Sequence, residues 1–394
     1  MVINIERVKF MPIDPVILTQ DLVRCPSITP ADAGALEVMS TALRPMGFHA
    51  EHLRFQEEGT DAVDNVFARR GTTGRHLCYL GHTDVVPVGR ESDWTYPPFA
   101  AEIHDGKLYG RGTADMKAGN AAFVAAVSRF LSRHADFEES ISLLITGDEE
   151  ALAVNGTVKV IEWMQQNGQL PNVALVGEPG NPERLGQVMR VGRRGSWNAK
   201  IVIEGKQGHS AYPERADNPI PKLIQILQHV LAEKLDDGTD YCPPSHIVIS
   251  SVDVGNPASN VIPARAEALI NIRFNDIWTD ETIDSHMREV FSRAGIPFHA
   301  HSWCNAKSFM GGHDEIWREL VADAVEHVSG TRPAFDTGGG TSDARFIAPF
   351  CPVVEYGPVN ATIHQVDEFC SVADIEALTR TYDMVLEKYF YGNP

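Results

Sequence analysis

Over the first half of the chain short apolar runs alternate with helical patterns, the signature of a mostly parallel sheet covered by helices. Three runs read as buried strands: His76 to Leu80, Ser140 to Thr146 and Val173 to Val176. Between the first two, Ala118 to His134 carries Ala, Phe, Val and Leu at helical spacing and ends in a basic turn, which predicts a crossover helix. Each strand runs directly into polar residues, Gly81-His82-Thr83-Asp84, Gly147-Asp148-Glu149-Glu150 and Gly177-Glu178-Pro179. In open parallel sheets the ligand crevice lies outside the carboxyl ends of the strands. Three segments far apart in sequence are therefore expected to converge.

After the Gly/Pro-rich passage Gly177 to Gly186 the order becomes strand (Ser196 to Glu204), helix (Pro219 to Leu235), strand (Ser245 to Ser251), strand (Ala266 to Phe274), helix (Thr279 to Ala294) and strand (Pro297 to Trp303). That is the split βαβ, or ferredoxin-like, order. Helical periodicity returns in Glu315 to Val328, followed by a glycine-rich loop ending at Asp343, a strand from Val353 to Tyr356 and a last helix from Asp374 to Tyr389. The predicted architecture is α/β: a catalytic domain with a mostly parallel, mixed sheet, made of residues 1–193 and 307–394 and interrupted by an α+β insert at 194–306. A chain of 394 residues also exceeds what one hydrophobic core holds.

Composition narrows the function. A net charge of -19 argues against nucleic acid as a partner, since that binding needs a basic face to replace phosphate counterions. No apolar run approaches a membrane span, and Met1 to Asp14 lacks the apolar stretch of a signal peptide. The six cysteines, Cys25, Cys78, Cys242, Cys304, Cys351 and Cys370, form no CxxC pair and read as reduced thiols. A cytoplasmic protein is expected.

The polar strand ends carry the candidate chemistry. His82 and Asp84 stand two apart, and a ligating histidine commonly donates its second ring N–H to a carboxylate. Asp115 lies in a glycine-flanked turn, Gly110 to Gly119, at the start of the crossover helix, where a carboxylate also serves as an N-cap. Asp148, Glu149 and Glu150 repel one another after a buried strand unless a cation sits among them, although a surface charge run looks the same in sequence. Glu178 ends the next strand, and His364 lies near the C-terminus. Catalytic zinc takes three protein ligands, and paired ions roughly 3.5–4 Å apart share a carboxylate. On that pattern His82, Asp115 and Glu178 serve one ion and Asp115, Glu150 and His364 the other, with Asp115 bridging. Glu149 is left over as the general base that takes a proton from water and returns it to a departing amine. Carboxylate and imidazole ligands also accept manganese or cobalt.

Six motifs in this order, Leu80 to Pro87, Leu108 to Gly112 with Ala114 to Lys117, Asp148 to Glu150, Gly177 to Pro179, Gly339 to Asp343 and Gly357 to His364, resemble the dinuclear-zinc metallopeptidase and deacylase family that includes acetylornithine deacetylase. The likeness covers nearly the whole chain. It implies two zinc ions per subunit on the five ligands named above, Asp84 as partner of the first histidine and Glu149 as acid and base. It also implies a catalytic domain interrupted by a lid that makes a homodimer. His209, in Gly208-His209-Ser210-Ala211-Tyr212-Pro213, matches the lid histidine that reaches the opposite subunit's active site and stabilises the oxyanion.

Within that family the desuccinylase branch is suggested by Arg193-Arg194-Gly195-Ser196, Asn260 to Pro263, Arg273 and Asn360 to Thr362. The resemblance marks Arg193, Ser196, Tyr212, Asn260, Arg273, Thr341 and Asn360 as substrate-binding, and arginine offers a bidentate fork for each substrate carboxylate. The implied reaction is hydrolysis of N-succinyl-LL-2,6-diaminopimelate, an N-acyl amino-dicarboxylate, to succinate and LL-2,6-diaminopimelate, a step toward lysine. Acetylornithine deacetylation, or another N-acyl-amino-acid hydrolysis on the same metal site, is the alternative. A catalytically silent binding protein on this fold would lack the base or a ligand, and all are present. The chain departs from the family pattern at Ala151-Leu152 where glycine is frequent, at Glu214 where histidine is, and at Gly180 where serine or threonine is; none of these removes a ligand.

Overall fold

In the computed structural model, which describes residues 11–312 and 314–392, the apolar runs His76–His82, Ser140–Thr146 and Val173–Val176 are strands buried at every position. Strands buried on both faces belong to a sheet covered on both sides. The sheet holds eight strands in the order His49–Phe55, Val63–Arg70, Ser140–Thr146, His76–His82, Val173–Val176, Val353–Glu355, Val188–Arg190 and Ala334–Asp336. Its centre is parallel, from Ser140–Thr146 through to Val353–Glu355. The sheet is mixed because His49–Phe55 and Val63–Arg70 form an antiparallel pair at one edge, the second running antiparallel to Ser140–Thr146. Of residues 1–14, in which no signal peptide was expected, 1–10 lie outside those described.

The crossover helix Ala118–Arg133 is buried along most of its length, consistent with its alanine-rich face against the sheet. Phe123 stacks on Tyr79 of the sheet at 4.3 Å between ring centroids, and Tyr382 of the C-terminal helix Val372–Tyr391 meets Phe123 edge-on at 5.7 Å. The strand, the crossover helix and the last helix thus share one aromatic core. No helix among the described residues is long and apolar enough to cross a membrane. All six cysteines are free.

The chain divides into two units, Met1–Val191 with Gly311–Asp336 and Ser342–Pro394, and Gly192–Met310 with Thr337–Thr341. The second unit holds a four-stranded antiparallel sheet ordered His246–Asp253, Arg265–Phe274, Gly195–Glu204, His299–Ala306. With the helices Pro219–Ala232 and Asp280–Ser292 this is the ferredoxin-like arrangement. Alternation along Gly195–Glu204 sends Trp197, Ala199, Ile201 and Ile203 into a core with Ile226, Ile270, Met287 and Phe291. The short excursion Thr337–Thr341, which belongs to this unit, falls inside the stretch 307–394 that the sequence reading kept wholly in the first domain.

His76, at the buried start of a central strand, lies 2.7 Å from the Ser142 hydroxyl. Burial, and then the nearby Arg69 charge, lower its pKa from 6.5 to about 4. The folded state thus favours neutral His76, so its contribution is fully present above about pH 6.5 and is lost as pH falls through about 4, with an upper limit of ~3 kcal/mol. Denaturant unfolding across that window is expected to show a shallower loss of stability for His76→Gln than for the parent chain. Parallel pH profiles would contradict this.

Candidate metal centre

His82 closes its strand with the side chain 1% exposed. Its Nδ1 lies 2.9 Å from the Asp84 carbonyl oxygen, which can only accept, so Nδ1 carries the proton and Nε2 is left as the donor atom. Nε2 faces Asp115 Oδ1 at 3.2 Å and Glu178 Oε1 at 3.5 Å. The strand end is itself held by Asn120, whose amide donates to the His82 carbonyl at 2.7 Å while its oxygen accepts from Tyr79 at 3.2 Å. Residue 81 is glycine for this reason: a Cβ there would lie 2.1 Å from the Asn120 side-chain oxygen. Sequence reasoning missed Asn120, although an asparagine buried among the alanines of a crossover helix was a signal for a specific partner.

Asp84 was expected to orient the His82 ring, by its carboxylate or through the backbone. In the structure its backbone carbonyl makes the close contact and the carboxylate stands 3.5 Å from Nδ1. The carboxylate instead accepts the backbone N–H groups of Glu149 at 3.3 Å and Glu150 at 3.1 Å. Asp148 turns away and accepts from the N–H groups of Val154 and Asn155. The acidic triplet is thereby sorted, with one carboxylate spent on the turn and two free to serve the crevice.

Glu150 Oε1 lies 3.0 Å from His364 Nε2, which is 3.4 Å from Asp115 Oδ2. The two oxygens of Asp115 therefore face different histidines. Among the described residues, three trios of ligand atoms fall within 4.8 Å: His82, Asp115 and Glu178; Asp115, Glu150 and His364; and His82, Glu149 and Glu150. Donors about 2.0–2.2 Å from a tetrahedral ion are roughly 3.3–3.5 Å apart, and the separations found here, 3.0 to 3.5 Å, fit such ions.

Electrostatics says the same. Burial raises the Glu149 carboxyl well above the usual carboxylate range, and the Glu178 charge adds to it. Burial opposes protonation of His82, but hydrogen bonds to Asp115 and Asp84 carry it well above the ordinary histidine value. Hydrogen bonds to Asp115 and Glu150 push His364 up to about 10. Proton affinity is thus raised at the atoms a cation would bind. Asp343, which the sequence reading quoted only within a loop motif, is buried close enough to feel His82 and Asp84, and burial pushes it up to about 6.

The remaining candidates divide between the units. Asn360 stands in the first, its N–H donating to the Asn181 carbonyl at 2.8 Å, at the start of the turn that carries His364. In the second, Arg193 is buried and donates to the carbonyls of Gly338 and Gly340, beside Thr341. Ser196 lies opposite Arg273 in the sheet register. His209 is exposed, 5.9 Å edge-on from Tyr212, and the Asn260 carbonyl accepts the N–H of Ser210 at 2.9 Å.

The family model described as Peptidase family M20/M25/M40 matches residues 78–388. Among curated proteins, the succinyl-diaminopimelate desuccinylase of Rhodospirillum centenum is 51% identical over 379 residues, covering 96% of this chain and 98% of its own. That of Beijerinckia indica is 47% identical over 379 residues, covering 95% and 98%. Of the solved structures, aminopeptidase PepT from Bacillus cereus gives a TM-score of 0.74 at 18% identity, covering 95% of this chain and 97% of its own. The Bacillus subtilis YXEP protein, titled a dinuclear metal binding peptidase from the M20 family, gives 0.66 at 16%, covering 94% and 96%. At these identities the structural likeness speaks for the fold alone.

Because the Asp115 oxygens face separate histidines, Asp115→Ala is expected to abolish tight binding of both ions, whereas Glu178→Ala and Glu150→Ala each remove one. Metal content after gel filtration checks this. Retention of one ion by Asp115→Ala would contradict the bridging assignment.

Proposed function

The chain belongs to peptidase family M20/M25/M40, and from that premise we propose that it is a two-zinc amide hydrolase that cleaves N-succinyl-LL-2,6-diaminopimelate into succinate and LL-2,6-diaminopimelate. The observation that carries the metal chemistry is the pair of Asp115 oxygens set toward His82 and His364. The substrate follows from the name of the relatives at 51% and 47% identity over nearly the full chain.

In this reading His82, Asp115 and Glu178 hold one ion and Asp115, Glu150 and His364 the other, with cobalt or manganese as substitutes. The ions, when bound, supply Lewis-acid polarisation of the amide carbonyl and acidify a water. Glu149 takes the water's proton and delivers it to the leaving amine. Burial and the Glu178 charge raise its hold on a proton, the direction required of a base that must keep the proton between two steps. Asp84 fixes both the His82 tautomer, through its carbonyl, and the turn bearing Glu149, through its carboxylate.

His209 donates to the oxyanion. Arg193 and Arg273 take substrate carboxylates with bidentate geometry, supported by Ser196, Tyr212, Asn260, Thr341 and Asn360. Residues 1–193 and 307–394 are the catalytic part and 194–306 the lid and dimerisation part of a cytoplasmic homodimer.

Zinc-loaded protein is expected to hydrolyse N-succinyl-LL-2,6-diaminopimelate in preference to N-acetylornithine, and chelated protein to hydrolyse neither. Preference for the acetyl compound would discard the substrate and keep the site. Glu149→Gln is expected to retain both ions while kcat falls roughly 10²–10⁴-fold; full activity in that variant would remove the proposed base.

A further inference from the structure

Beneath the metal centre lies a buried ion pair to which the sequence reading assigned no role. Arg111 Nη1 donates to Glu368 Oε2 at 2.8 Å, with side chains 3% and 0% exposed. Burying two charges is costly unless their remaining hydrogen-bonding groups are also engaged, and here the partners are not scattered. Glu368 Oε1 accepts the backbone N–H of Ala114 at 2.9 Å and of Asp115 at 3.2 Å. Arg111 donates to the carbonyls of Gln365 at 3.1 Å, His364 at 3.5 Å and Pro87 at 3.4 Å. Its guanidinium stands 5.2 Å from the Trp94 ring. These bonds end on the backbone of two metal-ligand candidates, on their immediate neighbours, and on the segment that follows Asp84.

A second observation sets the same pair to work. His364 has φ of 61°, in the left-handed region that residues other than glycine seldom occupy. A residue held there persists only when its surroundings over-determine it. Arg111 supplies that constraint by taking the carbonyls of His364 and Gln365, while Glu368 holds the turn that carries Asp115.

We propose that the Arg111–Glu368 pair is a positioning device that locks the bridging carboxylate Asp115 and the ligand His364 in register with each other. The inference rests on the metal assignment made above. The pair touches neither ion nor substrate; it acts through the backbone of two ligands. Loss of either partner loosens the site rather than removing a ligand from it.

The test uses the full chain and cobalt(II) as probe. Glu368→Gln keeps the size of the side chain and removes its charge. Arg111→Lys keeps the charge and loses the fork that reaches four acceptors. Arg69→Lys, which disturbs a half-buried guanidinium bonded to Gly71, Gln169 and Ser140 in the same unit, serves as the control for a structural loss. Cobalt affinity is expected to fall by roughly 10–100-fold in the two test variants, with altered visible d–d absorption of the loaded protein and a fall in kcat at nearly constant KM. The control is expected to lower thermal stability with cobalt affinity and spectrum unchanged. Folded Glu368→Gln and Arg111→Lys proteins with parental cobalt affinity and spectrum would overturn the proposal. So would failure of both to fold, which would make the pair a determinant of folding. A parent chain that bound no cobalt would overturn the metal assignment, and this inference with it.

Discussion

Buried negative charge is the constraint on which the first unit depends. Asp84, Asp115, Glu178 and Glu368 are buried there, with Glu149 and Glu150 half-buried beside them and, among the described residues, His82 and His364 as ring partners. Like charges at such density raise one another's proton affinity or require a cation. The chain resolves part of the conflict with its own backbone: the N–H groups of Glu149 and Glu150 go to Asp84, and those of Ala114 and Asp115 go to Glu368. The oxygens of Asp115, Glu150 and Glu178 aimed into the crevice face the rings of His82 and His364 instead, and these are the ones that match ion geometry.

The sheet makes this arrangement possible. Parallel strands buried on both faces deliver their carboxyl ends to one side, so His82, the Asp148–Glu150 turn and Glu178 arrive together from strands 4 to 7 residues long. Glycine then allows close approach where backbone and side chains crowd. At position 177 a Cβ would lie 1.9 Å from the Tyr79 hydroxyl.

The features legible in the sequence were those encoded by uninterrupted local patterns. His76–His82, Ser140–Thr146 and Val173–Val176 read as strands because burial on both faces leaves no polar interruption, and the insert read correctly because its strands and helices alternate cleanly in ferredoxin-like order. The edge strand His49–Phe55 and its neighbour Val63–Arg70 went unnamed; the first, half-exposed, mixes charged and apolar residues. The candidate ligands were legible as motifs, and the structure brings them together. What bonds to what was not legible, because it depends on partners 38 or more residues away: the Asp84 carboxylate on the Glu149 amide, Asn120 on His82, Glu368 on Asp115. No periodicity encodes such contacts.

Asp115 as the shared ligand of two ions is the central claim, and anomalous diffraction from crystals of the zinc-loaded chain at the zinc edge tests it most directly. The account predicts two peaks about 3.5–4 Å apart, one between His82 and Glu178 and one between Glu150 and His364, with an Asp115 oxygen on each. A single peak among His82, Glu149 and Glu150, the other trio the geometry allows, would contradict it and would make Glu149 a ligand instead of the base.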